Sequence, residues 1–131
     1  MERKIINPDK WQDPLGFVQG HEVSGAQRML FCAGQVPVDA EGKTMHVGDF
    51  RGQLNRTIDN IERVLAGAGF TFADLVRLNI YTIDLEGFFA NRDVILQRIT
   101  AAGSRHTSTL LGVARLARPD LLLEIEATAV K

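Results

Sequence analysis

The stretch "LLLEIEATAV" at 121–130 alternates with a period of two. Successive side chains of a strand point to opposite faces, so Leu121, Leu123, Ile125, Ala127 and Ala129 share one face, and Leu122, Glu124, Glu126 and Thr128 the other. The first face is core. The second carries two glutamates two residues apart and belongs to solvent or to a site. The same alternation marks "DLVRLNIYTID" (74–84), where Val76, Leu78 and Ile80 oppose Arg77, Asn79 and Tyr81. "GFVQGHEVSG" (16–25) and "RMLFCAGQVPV" (28–38) predict two more strands, joined as a hairpin through Ser24 to Gln27 with Gly25 in the turn, after an irregular start through Pro8 and Pro14. "TSTLLGVARLA" (107–117) predicts a strand connected to 121–130 by "RPD", where Pro119 suits the second position of a tight turn.

Two segments follow the helical period instead. Asp49 stands at an N-cap ahead of Phe50, Leu54, Ile58, Ile61 and Leu65, and Gly67 and Gly69 close that helix. A second helix is predicted from about Glu86 to about Thr100, with Phe88, Ile95 and Ile99 along one stripe and Phe89 and Leu96 beside it. The order β-β-α-β-α-β-β, without internal repeat or linker, predicts a single α+β or α/β domain over 1–131.

Charge and composition narrow the chemistry. Fifteen basic against sixteen acidic residues, a net charge of -1, give no basic field for a phosphate backbone, so nucleic acid is not expected as a partner. The single cysteine, Cys32 in "LFCAG", can form no internal disulfide and reads as a small hydrophobe in an apolar strand. The start "MERKIINPDKWQDPLG" has no apolar h-region, and no segment approaches about 18 consecutive apolar residues, so a cytoplasmic protein with no membrane partner is expected. No GxGxxG, GxxxxGK[ST], HExxH or CxxC pattern is present, so nucleotide and zinc chemistry lose support. His21, His46 and His106 are far apart and read as surface or loop histidines, His106 being the best placed for a role.

The ordered set "AGQVPVDAEG", Gln53, "DNIERVLAGAGFTFADLVRLNIYTIDLEGFFANRD" and "LLGVARLA" followed by "LEIEATAV" resembles the RidA (YjgF-like) family, over about Gly16 to Val130. The resemblance implies a chorismate-mutase-like α+β fold, a mixed sheet with two helices on one face. It further implies a homotrimer whose open sheet faces pack together and leave clefts at the subunit boundaries, burying apolar residues such as Leu110 and Leu122. Archetypal members hydrolyse reactive enamines and imines of amino acids, without a cofactor. The family's water-activating glutamate falls on Glu124, and a carboxylate within reach of a water can act as a general base. Glu126 reads as structural. The asparagine opening the second helix falls on Asn91, and the glycine of the "SGQ" motif on Gly34, whose missing Cβ would let a ligand approach.

Several family positions are altered. The serine before that glycine is Ala33, and the family's N-terminal tyrosine is Phe17, so two cleft hydroxyls are gone. The arginine that holds the substrate carboxylate in a "PARS"-like stretch falls on Ser108 in "HTST", and serine cannot make the bidentate contact of a guanidinium. Arg105 lies three residues earlier and is the candidate substitute. Two readings follow. One is a cofactor-free hydrolase of a small imine or enamine, with Glu124 handling water and Phe17, Ala33 and Leu110 shaping an apolar pocket. The other is a non-catalytic trimer that binds a small metabolite or a protein partner in the same clefts.

Overall fold

The computed structural model describes residues 1–131. Its elements are β1 (Glu2–Ile6), β2 (Gly20–Ser24), β3 (Met29–Gln35), α1 (Phe50–Gly67), β4 (Leu75–Thr82), α2 (Leu85–Asn91), α3 (Asp93–Ile95), β5 (Thr107–Gly112) and β6 (Leu123–Val130). A four-stranded sheet has the order β3-β6-β4-β5, and β1 and β2 form a separate antiparallel pair. β6 runs antiparallel to both β3 and β4, while β4 and β5 are parallel, so β6 is inserted against the common direction of the other three. Parallel neighbours need a crossover, which α2, α3 and the turn after them supply between β4 and β5. This is the chorismate-mutase-like α+β architecture, with both helical units on one face.

The core forms where the two periodicities meet. Leu54, Ile58, Ile61 and Leu65 of α1 are fully buried against Leu78, Ile80, Leu123, Ile125 and Ala129 of the sheet. Asp49 caps α1 by accepting from the Gly52 N–H at 3.0 Å, and Gly69, at φ 76°, takes the left-handed turn that ends it. Gln53, wholly buried on α1, donates to the Asp120 carbonyl at 2.9 Å and accepts the Leu122 N–H at 2.8 Å. That side chain holds the chain at Leu122, one residue before β6 begins and two before Glu124. Cys32 is buried in the same core, and burial pushes its thiol pKa up.

Four local expectations change. The segment before Pro8 is strand β1, and β2 pairs with it (Arg3 opposite Val23) instead of forming a hairpin with β3. The turn at Gly25, φ 70°, is present, but β3 is claimed by β6, whose alternating apolar face needs partners on both sides. β5 stops at Gly112, and although Leu121 N–H bonds back to Arg118 in a tight turn, β5 and β6 are not neighbours because β4 lies between them. The second helix breaks after Asn91, resumes at Asp93–Ile95 and ends in a π-type turn over Leu96–Thr100. No helix is long and apolar enough to cross a membrane.

Candidate functional site

β6 presents Glu124 and Glu126 on the sheet face opposite the helices, beside Tyr81 and Asn79 of β4. The two glutamates have different surroundings. Glu126 accepts hydrogen bonds from Tyr81 Oη at 2.5 Å and Asn79 Nδ2 at 2.9 Å, and Asn79 Oδ1 in turn accepts from Arg77 Nε at 2.8 Å. The Tyr81 bond, then that of Asn79, holds the Glu126 carboxyl below its usual pKa, and the same bond to Glu126 raises the Tyr81 hydroxyl. Glu126 is therefore committed to the sheet. Glu124 has no hydrogen-bond partner within the chain, and its carboxylate is left for another occupant.

Gly34 explains how that carboxylate is placed. Between Cys32 and Gln35 the β3–β6 register shifts, so Ala33 and Gly34 together oppose one residue of β6. The bulge turns Gly34 toward Glu124: a Cβ on Gly34 would stand 2.8 Å from the Glu124 Cδ. The missing Cβ thus accommodates the glutamate. Ala33, beside it, is exposed on the same open face.

Phe17, Ser108 and Leu110 lie elsewhere. Ser108 pairs with Leu78 and Leu110 with Ile80, the core-facing residues of β4, so both point to the helix side of the sheet. With Phe17 they line a cavity of about 120 Å³ closed by Phe88 and Ile95 of the helices. Leu110 is accordingly not on the open face, as the sequence reading had it; the apolar residue of β5 exposed there is its neighbour Leu111.

Besides Ala33 and Gly34 on the open face, Asn91 and Arg105 do not line this cavity either. The Asn91 amide donates to the Gly87 carbonyl at 2.8 Å and its oxygen lies 3.4 Å from Arg51 Nη1, so it is spent within the helical layer. Arg105 lines a different, more polar hollow with Asn7, Asp13 and Thr100. Two residues take their place beside Ser108. Arg92, at the break between α2 and α3, lines the cavity, as does His106. His106 is not a surface histidine: it is buried, its Nδ1 lies 2.8 Å from Ser104 Oγ, and burial pushes its pKa down to about 4, so the ring is neutral at pH 7. Arg92 was legible in principle, because Phe88, Arg92 and Ile95 stand at i, i+4 and i+7 of one helical face. No three histidine, cysteine or acidic side chains cluster closely enough to hold a metal ion.

The mixed sheet with its helices on one face, a free carboxylate on the other face and an apolar cavity among the helices make up a small α+β domain. The chain belongs to the RidA (YjgF-like) family: the family model described as endoribonuclease L-PSP matches residues 15–131. A RutC family protein of Pyrococcus abyssi is 32% identical, the alignment covering 100% of this chain and 99% of the relative. The putative reactive intermediate deaminase TdcF of Escherichia coli is 28% identical over 98% of each chain. The crystal structure of YyfB, a Rid family protein of unknown function from Yersinia pestis, superposes with a TM-score of 0.88 at 34% identity over 100% of both chains.

Proposed function

We propose that the protein is a cofactor-free hydrolase of the enamine or imine deaminase type, acting on a small reactive metabolite. It works as a homotrimer in which Glu124 of one subunit faces the Phe17–Ser108–Leu110 cavity of the next. The observation that carries this reading is the unpartnered Glu124 carboxylate seated over Gly34. Its position on the face opposite the cavity supports assembly, since in one copy the two halves cannot reach one substrate. Apolar side chains on that face, Phe31 at 72% and Met29 at 58% exposure, support it independently, because association buries them. TdcF, whose name assigns it reactive intermediates, supports the substrate class.

In the proposed reaction the imine enters protonated on nitrogen, and Glu124 takes a proton from a bound water as the oxygen attacks the imine carbon and the C=N electron pair moves to nitrogen, giving a neutral carbinolamine. The protonated Glu124 then delivers its proton to that nitrogen. The carbinolamine collapses as the C–N bond breaks and the hydroxyl proton returns to the Glu124 carboxylate, which releases it to solvent. One imine and one water become one carbonyl and one ammonia. An enamine enters the same sequence after protonation at carbon.

The test is ammonia and 2-oxo acid release from freshly generated imines by the wild type and by Glu124→Ala, with the mass of each in solution. Turnover in the wild type, lost by at least about a hundredfold in an intact trimeric variant, is expected for a positioned general base. Undiminished turnover in the variant sinks the role of Glu124. The absence of an arginine at Ser108, with Phe17 and Ala33 lacking hydroxyls, favours a second reading, a non-catalytic trimer that binds a small metabolite. Tight binding of a ligand that is recovered unchanged selects it.

A further inference from the structure

Arg92 is the single fully charged group on the wall of the apolar cavity, whose other polar members are Ser108 and the neutral His106. The residue is partly buried, and its guanidinium makes no ion pair and no hydrogen bond within the chain and lies over the Phe89 ring at 5.4 Å. Three other arginines of the helical layer are engaged: Arg98 pairs with Asp59 at 2.7 Å, Arg51 with Asp93 at 2.8 Å, and Arg56 donates to the Val38 carbonyl at 2.9 Å, while the exposed Arg63 of α1 lies away from the cavity wall. A guanidinium stacked on an aromatic ring keeps its fork of donors free while its position is fixed. No carboxylate lines the cavity with it, whereas the hollow that holds Arg105 also contains Asp13. A lone cation in a low-dielectric wall calls for an anion, and a fork of N–H donors matches a carboxylate best.

We infer that Arg92 is the carboxylate anchor of this site, doing from the helix break what Ser108 cannot do from β5. The ligand is a monocarboxylate with an apolar side chain, its anionic end on Arg92 and its body among Phe17, Ile80, Phe88 and Leu110. The cavity of about 120 Å³ sets the size. An engineered apolar cavity of about 150 Å³ accepts benzene, so a branched aliphatic or single-ring side chain is the upper limit here. The inference rests on the proposed site but not on its chemistry, because binding can be read without turnover.

The experiment uses the stable 2-oxo acids 4-methyl-2-oxopentanoate and phenylpyruvate, with the corresponding uncharged amides. Binding is read by titration calorimetry and by fluorescence of the single tryptophan, Trp11, which packs edge-on against Phe17 at 6.2 Å. Wild type is expected to bind the acids at least tenfold more tightly than the amides. Arg92→Ala should abolish that preference and leave amide binding in place, and Arg92→Lys, which keeps the charge and loses the fork, should retain only part of it. An unchanged preference in Arg92→Ala, a loss that follows Arg105→Ala instead, or no binding of either acid by the wild type at millimolar concentration overturns the assignment. Acid binding through Arg92 without release of ammonia from any imine refutes the hydrolase and keeps the anchor. Imine turnover with the same kcat/KM in Arg92→Ala does the reverse.

Discussion

Gly34 has no Cβ, and the Glu124 side chain fills the space one would take. An alanine there would bring its methyl within 2.8 Å of the Glu124 Cδ, closer than packed atoms stand, so one of the two must move. The far end of a glutamate rotates readily, and the bulged backbone at Ala33 and Gly34 stays as it is. The cost to stability should therefore be small, about 1 kcal/mol or less, comparable with ordinary surface substitutions. The cost to chemistry should be larger, since a displacement of about 1 Å at a reacting group can lower turnover by about a hundredfold. Gly34→Ala is expected to melt close to the wild type and to lose tenfold to a hundredfold in kcat, measured on the imine that the wild type turns over best. Wild-type kcat in that variant would show that the position of the carboxylate over Gly34 does not matter to the reaction.

His106 connects the residue scale to the element it begins. It directly precedes β5, is buried, and has a folded-state pKa near 4 against 6.5 when exposed to water. The unfolded chain therefore binds the extra proton between those two values. The stability associated with the neutral ring is complete above about pH 6.5 and is lost as pH falls toward 4, up to about 3 kcal/mol in total. The bond from Tyr81 holds the Glu126 carboxyl below its usual value, so its contribution is lost only as pH falls further than it would for an ordinary glutamate. Urea unfolding midpoints taken from pH 7.5 to 5.0 should fall for the wild type and stay nearly level for His106→Gln, and it is the slope with pH that decides, whatever the absolute stability of the variant. Equal slopes would mean that the ring is hydrated in the folded protein.

The same residue shows why some elements could be read from the sequence and others could not. β6 and α1 were legible because a single strong period runs through each: the alternation around Ile125 and the 3.6-residue stripe through Leu54, Ile58, Ile61 and Leu65 both end in full burial. The capping aspartate, Asp49, and the turn at Gly25 were equally local signals. Strand pairing was not local. Nothing within "GHEVS" says that its partner is "ERKII" and not the next strand in sequence, and nothing within "TSTLLG" says that β4 separates it from β6. The break at Arg92 is a change of helical register, and register depends on what the helix packs against. Glu124 could be placed by resemblance and Arg92 by its place on the stripe of Phe88 and Ile95, but the hidden histidine emerges only when β5 and the helices are brought together.

At the scale of the whole molecule, the open sheet face decides what the protein is. One copy leaves Phe31 at 72% and Leu111 at 48% exposure on the face that also carries Glu124, and it encloses its apolar cavity on the opposite side. Exposed apolar side chains ringing a polar strip of Arg77, Asn79, Tyr81 and Glu126 form a surface suited to association, with an apolar area to bury and polar groups already satisfied among themselves. A charge placed at Phe31 would be desolvated in such an interface and harmless in a monomer. Phe31→Lys is therefore expected to convert a trimer of wild-type mass into monomers, measured by light scattering across a concentration series. The helix-side core, to which Phe31 contributes nothing, should still unfold cooperatively. Turnover should disappear with the trimer even though Glu124, Arg92 and the cavity are untouched, because no single copy presents the carboxylate to the cavity. A wild type that is already monomeric, or a monomeric variant that retains turnover, would place the whole reaction within one chain and remove the role of the partner subunit.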